Sequence, residues 1–173
     1  MNSLQHRKKL YFPDIIGVKE EVLDNIIQDI DNHYGEWQEI KTNPTTGNPK
    51  TYLDGTVKKR VIRPPKEVLK SIQKRIKNRI LAKIDLPDNV HGGVKGRSNI
   101  SNAFPHKGHK HILTTDLTDF YPSIKSSWIH DLFMNMGFNK QFCYYITRLC
   151  TWKYEIPQGA PTSTHLSNIF FVE

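Results

Sequence analysis

Two short segments restrict the fold of this chain more than any other part of it: residues 114–124 (TTDLTDFYPSI) and residues 156–168 (IPQGAPTSTHLSN). Each lies where an apolar run that predicts a strand gives way to a run that predicts a helix. We expect a buried strand over residues 111–117, a second strand over 153–156, irregular backbone over 157–161 and a final helix from about Ser163. Both junctions carry polar side chains, so both are candidate sites.

The first junction carries two carboxylates, Asp116 and Asp119, between the predicted strand and the helix that follows. Carboxylates at a strand end are well placed to hold Mg²⁺, which prefers oxygen ligands and keeps positions open for water and phosphate. Taken alone, the pair has a simpler explanation, in which Asp119 caps the following helix. Phosphoryl transfer with two metal ions needs further acids, because one Asp cannot hold two divalent cations.

The second junction combines two rigid prolines, Pro157 and Pro161, with Gln158 and Gly159. A glycine permits close approach of a backbone or a base, and the glutamine amide can both donate and accept hydrogen bonds. Such a loop suits a nucleotide or a template base. In isolation it is equally an ordinary turn into a helix capped by Ser163.

The net charge of +8 is concentrated in the first two thirds of the chain. Residues 58–83 alone carry 11 Lys and Arg against the single acid Glu67. This stretch is a candidate footprint for nucleic acid, and a solvated helix face is the alternative.

The rest of the chain predicts alternating helices and short strands without repeats. We expect an acidic amphipathic helix over residues 18–30, a hairpin of strands 36–41 and 58–63, and a helix with Pro65 in its first turn. Residues 86–110 are expected to be loop, and residues 128–136 and 140–151 to be helices. Cys143 and Cys150 are too far apart on a helix for a disulfide and predict buried thiols.

In this order the two segments resemble the polymerase palm of bacterial reverse transcriptases, particularly those of retrons and group II introns. Residues 60–73 are similar to the fingers of these enzymes, and residues 91–98 to their next block. The pattern Asn-Ala-x-x-His at residues 102–106 indicates retron enzymes or their antiviral-defence relatives. The resemblance covers residues 36–173 and is specific, because five short patterns occur in the family's order.

The resemblance implies a role for each matching residue. Asp116 corresponds to the first metal-binding carboxylate, which is also the catalytic one, and the Leu117 carbonyl to a second ligand. Tyr121 corresponds to the aromatic wall that excludes a ribose 2′-hydroxyl, and Arg60 to the arginine that grips the triphosphate. The implied nucleotide-binding set is Arg60, Asp119, Phe120, Tyr121, Gln158 and Gly159.

The resemblance also implies contacts to template and primer. These nucleic-acid-binding candidates are Lys58, Lys59, Arg63, Lys95, Arg97, Asn102, His106 and Asn168. Thr164 departs from the family, which commonly has proline there, and leaves the helix start less rigid. His106, His109 and His111 suggest a zinc site, but no acid or Cys nearby supplies a fourth ligand, so loop stabilisation or RNA contact is the favoured role of His106.

The expected fold is α+β, a polymerase right hand with fingers and an incomplete palm and without a thumb. We divide it into an N-terminal helical extension (1–35), fingers (36–110) and a partial palm (111–173). The family's Tyr-x-Asp-Asp motif is missing, so this polypeptide alone is expected to be inactive. A shortened polypeptide, a proteolytic product and a naturally split protein all remain open.

The implied activity of the complete enzyme is RNA-directed DNA synthesis with two Mg²⁺ ions. Its partners would be an RNA template, a DNA or RNA primer, dNTPs and, for a retron enzyme, a structured RNA and antiphage defence proteins. A non-catalytic RNA-binding module with the same shape is the alternative. The absence of a signal peptide and of a long apolar run predicts a cytoplasmic protein without membrane contact.

Overall fold

A computed structural model describes residues 10–172. These residues combine helices with one two-stranded sheet, so the mixed α+β class is confirmed. The predicted N-terminal extension is described only from residue 10, and its first nine residues lie outside the described part. The helices are α1 (Phe12–Ile16), α2 (Glu20–Gln28), α3 (Glu67–Arg79), α4 (Asn99–Ala103), α5 (Phe120–Ser123), α6 (Ser126–Asn135), α7 (Lys140–Cys150) and α8 (Ser163–Val172). The strands are β1 (Trp37–Ile40) and β2 (Lys59–Ile62), and 3-10 turns cover Ile30–His33, Leu81–Lys83 and Phe104–His106.

The two strands form the predicted antiparallel hairpin, with Trp37 opposite Ile62 and Ile40 opposite Lys59. Pairing continues past the strands through single bridges at Thr42 with Pro49 and at Thr51 with Val57. The connection bends at turns of the kind its Asn, Asp and Gly residues predict. The hairpin is therefore longer than its two regular strands.

The core is built around α7, where Phe142, Ile146 and Leu149 are fully buried. The Phe142 ring lies 4.1 Å from the ring of Phe138 and 5.2 Å from that of Phe12. The apolar stripe of α3 packs into the same core and confirms the helical period read from the sequence. Its members are Leu69, Ile72, Ile76 and Ile80.

Both cysteines on α7 are free, buried thiols, as predicted. Burial raises the pKa of Cys143 to about 11 and that of Cys150 to about 12. Both therefore stay protonated at neutral pH and behave as small core side chains.

The strand predicted over residues 111–117 is wrong. This segment is irregular and exposed along its whole length. A strand needs a neighbour for its backbone N–H and C=O groups, and within residues 10–172 the only sheet is the β1–β2 hairpin. The apolar residues Ile112 and Leu113 are 60% and 90% exposed.

The strand predicted over residues 153–156 is also wrong, because a two-residue turn takes its place. The N–H of Trp152 donates to the carbonyl of Glu155 at 3.0 Å, and the N–H of Glu155 donates to the carbonyl of Trp152 at 3.1 Å. Lys153 and Tyr154 have φ of 50° and 64°, the left-handed pair typical of a type I′ turn. A run of four residues was too short to distinguish a strand from a turn.

Two further boundaries differ from the sequence prediction. Helix α3 begins at Glu67, and Pro65 precedes it and forms a bridge with Tyr34. The loop predicted over residues 86–110 contains α4, which has no apolar face. A reciprocal capping box between Ser98 and Ser101 stabilises this short helix instead.

Hydrogen bonds and a ring stack join the segment just before β1 to α3 and to the end of α7. The Gln73 side chain, fully buried, donates to the Tyr34 hydroxyl and to the Leu149 carbonyl, both at 2.8 Å. The Tyr34 ring stacks on Trp152 at 4.9 Å between centroids. The hairpin itself is joined to the 157–161 loop by the Arg63 N–H, which donates to the Gln158 carbonyl. Across the described residues, no helix has the length and apolar character needed to cross a membrane.

Candidate nucleotide-binding cleft

A cleft of about 400 Å³ lies between the hairpin, α5 and the 157–161 loop. It brings together residues from three distant parts of the sequence, because the hairpin packs against the loop after α7. Of the six predicted nucleotide-binding residues, five line it, and the sixth, Gly159, follows Gln158 directly. The residues lining the cleft are Lys41, Lys59, Arg60, Val61, Arg63, Leu117, Asp119, Phe120, Tyr121, Pro122, Glu155 and Gln158.

The hairpin supplies the positive side of the cleft. Arg60 is exposed, and its Nε and Nη2 donate to Glu39 Oε2 on the opposite strand at 3.1 and 2.9 Å. The hydrogen bonds from Arg60 are the main cause that holds the pKa of Glu39 below its usual range. Arg60 is therefore held at the cleft by an acid that would compete with any anionic ligand for it.

Lys41 lines the same cleft and was missed in the sequence. Its backbone N–H donates to the Lys58 carbonyl at 2.8 Å, which places it just past the end of β1. The hairpin prediction with strands over 36–41 and 58–63 was enough to find it, because it pairs Lys41 with the basic run.

Gly159 lies where the loop meets β2 and adopts φ of +105°. A Cβ at this position would lie 3.1 Å from Cγ2 of Ile62. Next to it, the Arg63 N–H donates to the Gln158 carbonyl at 2.7 Å. Glycine is therefore required here by both the backbone angle and the close approach of the hairpin.

Asp116 lies in the exposed segment just before the cleft. Within residues 10–172 its carboxylate has no hydrogen-bond or ion-pair partner, so both oxygens are available to a cation. The described residues contain no group of three or more His, Cys, Asp or Glu positioned for a metal. Asp116 and the Leu117 carbonyl are oxygen donors, the kind that Mg²⁺ prefers, and a bound ion would need further ligands.

Asp119 lines the cleft and adopts the left-handed conformation, with φ of 49°. Its carbonyl accepts a hydrogen bond from the Ser123 N–H at 2.9 Å, but its side chain makes no capping bond. The simpler interpretation, in which Asp119 is a side-chain cap of α5, is therefore wrong. The matching interpretation of Ser163 as a cap is not supported either, since its hydroxyl donates to the Pro157 carbonyl at 2.6 Å.

Tyr121 and Phe120 form the aromatic wall of the cleft. The Tyr121 ring is half-buried and meets the Phe120 ring edge to face at 5.2 Å. Phe120 in turn stacks on Phe171 at 5.1 Å. The two rings line the same cleft as Arg60.

The predicted nucleic-acid contacts lie in several places. Lys59 and Arg63 line the cleft, whereas Lys58 lies over the Tyr52 ring at 4.8 Å. Lys95 lies in a second depression and is exposed. Asn102 and His106 lie in a third, together with His109 and His111. The histidines share a depression but do not form a metal-binding group among the described residues.

Three of these candidates make internal contacts that occupy their polar groups. Arg63 is paired with Glu36 at 2.7 Å and with Glu155. Arg97 donates to the carbonyls of Val90 and Leu86 and pairs with Asp88. The Asn168 amide donates to the Gly92 carbonyl at 2.6 Å. All three stabilise the fold, a role that the sequence patterns did not indicate.

Comparison with known proteins gives a consistent set of relatives. No family model matches the chain. The chain is 34% identical over 158 residues to the retron Se72 reverse transcriptase of Salmonella heidelberg, which covers 91% of this chain and 38% of the relative. It is 36% identical over 110 residues to the retron Ec86 reverse transcriptase of Escherichia coli, covering 64% of this chain and 34% of that protein. A third relative, the retron Mx65 reverse transcriptase of Myxococcus xanthus, is 30% identical over 127 residues.

The sequence matches place this chain in the class of the reverse transcriptases. Within this class, the chain belongs to the retron type, which confirms the resemblance found in the sequence. The chain spans about 38% of the length of its Salmonella relative.

Proposed function

We propose that this chain is the dNTP-binding part of an RNA-directed DNA polymerase. In the complete enzyme the primer 3′-hydroxyl attacks the α-phosphate of a dNTP paired with an RNA template, and pyrophosphate leaves. The observation that carries the proposal is the single cleft that holds Arg60, Tyr121 and Gln158 together. The retron relatives support the same conclusion. On this proposal residues 36–110, which include the hairpin and α3, belong to the fingers of a right-hand polymerase, and residues 111–173 belong to its palm.

Each wall of the cleft has a chemical role in this proposal. Arg60, Lys59 and Lys41 bind the triphosphate, and the guanidinium can contact two phosphate oxygens at once. Tyr121 lies under the sugar, and Gln158 with Gly159 contacts the sugar and the templating base. Asp116 and the Leu117 carbonyl would hold Mg²⁺, which neutralises charge on the phosphates when bound.

We propose that the 173-residue polypeptide does not polymerise by itself. Two catalytic ions need several converging acids, and the described residues contain no cluster of three. In the complete enzyme the further acids would come from a Tyr-x-Asp-Asp motif outside this sequence.

The proposal is tested by primer extension with the whole protein encoded by the reading frame that carries this sequence. We expect Mg²⁺-dependent incorporation of dNTPs on an RNA template and little incorporation of rNTPs, because Tyr121 excludes the 2′-hydroxyl. The 173-residue polypeptide, assayed beside it, is expected to incorporate neither. Incorporation by this polypeptide alone would overturn the proposed inactivity, and a preference for rNTPs would indicate an RNA polymerase.

Glu39 should weaken dNTP binding, because it holds Arg60 in the absence of nucleotide. Exposed ion pairs of this kind are worth up to about 1 kcal/mol, so Glu39→Gln is expected to lower KM for dNTP by about two- to fivefold with kcat unchanged. The matched control is Glu67→Gln, which removes the same charge from an exposed ion pair with Lys70, neither of which lines the cleft. A KM that rises in Glu39→Gln would show that Glu39 positions Arg60 productively instead.

A non-catalytic RNA-binding module is the second candidate function. It is favoured by the position of Lys95, Asn102 and His106 outside the cleft. Salt-sensitive RNA binding by a whole protein that lacks Tyr-x-Asp-Asp and dNTP incorporation would support it.

We further propose, from the retron relatives, that the template and primer belong to a dedicated structured RNA. The protein would act in the cytoplasm, in antiphage defence with partner proteins. Copurification of a specific RNA joined to newly made DNA tests the first of these points.

A further inference from the structure

Thr164 makes a contact to the cleft that the proposed roles of the cleft residues leave unexplained. It lies in the first turn of α8, and its Oγ1 is 3.1 Å from the hydroxyl of Tyr121. Both side chains are half-buried, so water competes only partly for this hydrogen bond. The bond holds the outer end of the Tyr121 ring.

A second contact holds Thr164 from the other side. Gly93, with φ of +70°, approaches so closely that a Cβ there would lie 2.6 Å from Cγ2 of Thr164. The side-chain amide of Asn168, which lies one turn after Thr164 on α8, donates a hydrogen bond to the carbonyl of the adjoining Gly92. Since the side chain of threonine has few allowed rotamers, the packed methyl fixes where its hydroxyl points.

We propose that Thr164 is a positioning residue that sets the sugar selectivity of the cleft through Tyr121. The inference rests on the proposed dNTP-binding function. A ring discriminates against a 2′-hydroxyl only if it cannot move aside, and the Thr164 hydroxyl opposes that movement. Loss of the hydrogen bond lets the ring retreat, so ribonucleotides gain access while deoxyribonucleotides still bind.

The test compares kcat/KM for dATP and ATP in the whole protein encoded by the reading frame. Thr164→Val, which keeps the shape and removes the hydroxyl, is expected to lower the dATP-to-ATP ratio by about two- to tenfold, as loss of one hydrogen bond predicts. Thr164→Ser keeps the hydroxyl and should retain most of the ratio. A purely structural defect would lower both kcat/KM values together and leave the ratio unchanged, which would overturn the inference.

A double-mutant cycle tests whether Thr164 acts through Tyr121. Tyr121→Phe removes the same hydrogen bond from the other partner, so adding Thr164→Val to it should cause no further loss of selectivity. The matched control is Thr151→Val, because the Thr151 hydroxyl donates to the Thr147 carbonyl at the C-terminal end of α7 and makes no contact with the cleft. Additive effects of the two cleft variants would contradict the inference.

Nucleotide binding to the 173-residue chain gives a readout that needs no turnover. The ratio of dATP to ATP affinity, measured by titration calorimetry, should exceed one and fall in Thr164→Val. An unchanged ratio overturns the role of Thr164 alone. If the chain binds neither nucleotide, both the role of Thr164 and the dNTP-binding proposal are overturned. If the whole protein polymerises and Thr164→Val leaves the kcat/KM ratio unchanged, only the role of Thr164 is overturned and the proposed function stands.

Discussion

Asp116→Asn is expected to abolish dNTP incorporation by the whole protein, lowering kcat by at least about 10³-fold. Loss of a single preorganised electrostatic contact already costs about 10²–10³ in kcat, and this change removes the charge of a proposed metal ligand. The side chain has no partner within residues 10–172, so asparagine should not disturb the fold. Primer extension with Mg²⁺ measures the effect, and an unchanged Tm shows that the fold is intact.

Asp131→Asn is the matched control, because it removes the same charge from a carboxylate that is 71% exposed on α6. It should retain the kcat of the unmodified protein. If Asp116→Asn also retained more than about a tenth of that kcat, Asp116 would not be a metal ligand.

Phe142→Ala is expected to destabilise the chain by about 3–5 kcal/mol. Phe142 is fully buried in α7 and its ring contacts those of Phe12, Phe133 and Phe138. Such a loss is a large part of the roughly 5–15 kcal/mol that stabilises a domain. Thermal unfolding should show Tm lower by about 6–20 °C.

Tyr144→Ala provides the control on the same helix, because Tyr144 is 46% exposed. Its loss should cost less than about 1 kcal/mol, mainly from the edge contact with Tyr145. Equal destabilisation by the two changes would contradict the position of the core beneath α7.

Local sequence patterns predicted much of the secondary structure. The apolar stripe of α3 follows directly from helical periodicity, and the hairpin follows from two β-prone runs around turn residues. The sequence also predicted that residues 140–151 are helical, which α7 confirms. The same approach predicted strands over residues 111–117 and 153–156, and both predictions were wrong. A short apolar run does not state whether a partner strand is present, and residues 153–156 were too few to separate a strand from a turn.

The candidate site was predicted in its residues but not in its contacts. Motif order identified Arg60, Tyr121 and Gln158, and the structure places all three in one cleft. It did not show that Arg63 and Arg97 are engaged by acids and carbonyls within the fold. Lys41 was missed although the predicted hairpin pairs it with the basic run, because no motif of the family marks it.

The sequence by itself determined which faces of α2 and α3 are buried, where the hairpin forms and which motifs of a retron-type reverse transcriptase are present. Helical periodicity and turn preferences depend on residues only a few positions apart, so they can be read from the spacing of residue types in the sequence. Only the tertiary structure decided that Arg60 pairs with Glu39 and that Tyr121 hydrogen-bonds to Thr164. These pairs depend on how the hairpin, α5, α8 and the 91–97 loop pack together, and such packing is set by the whole core rather than by any local run of residues.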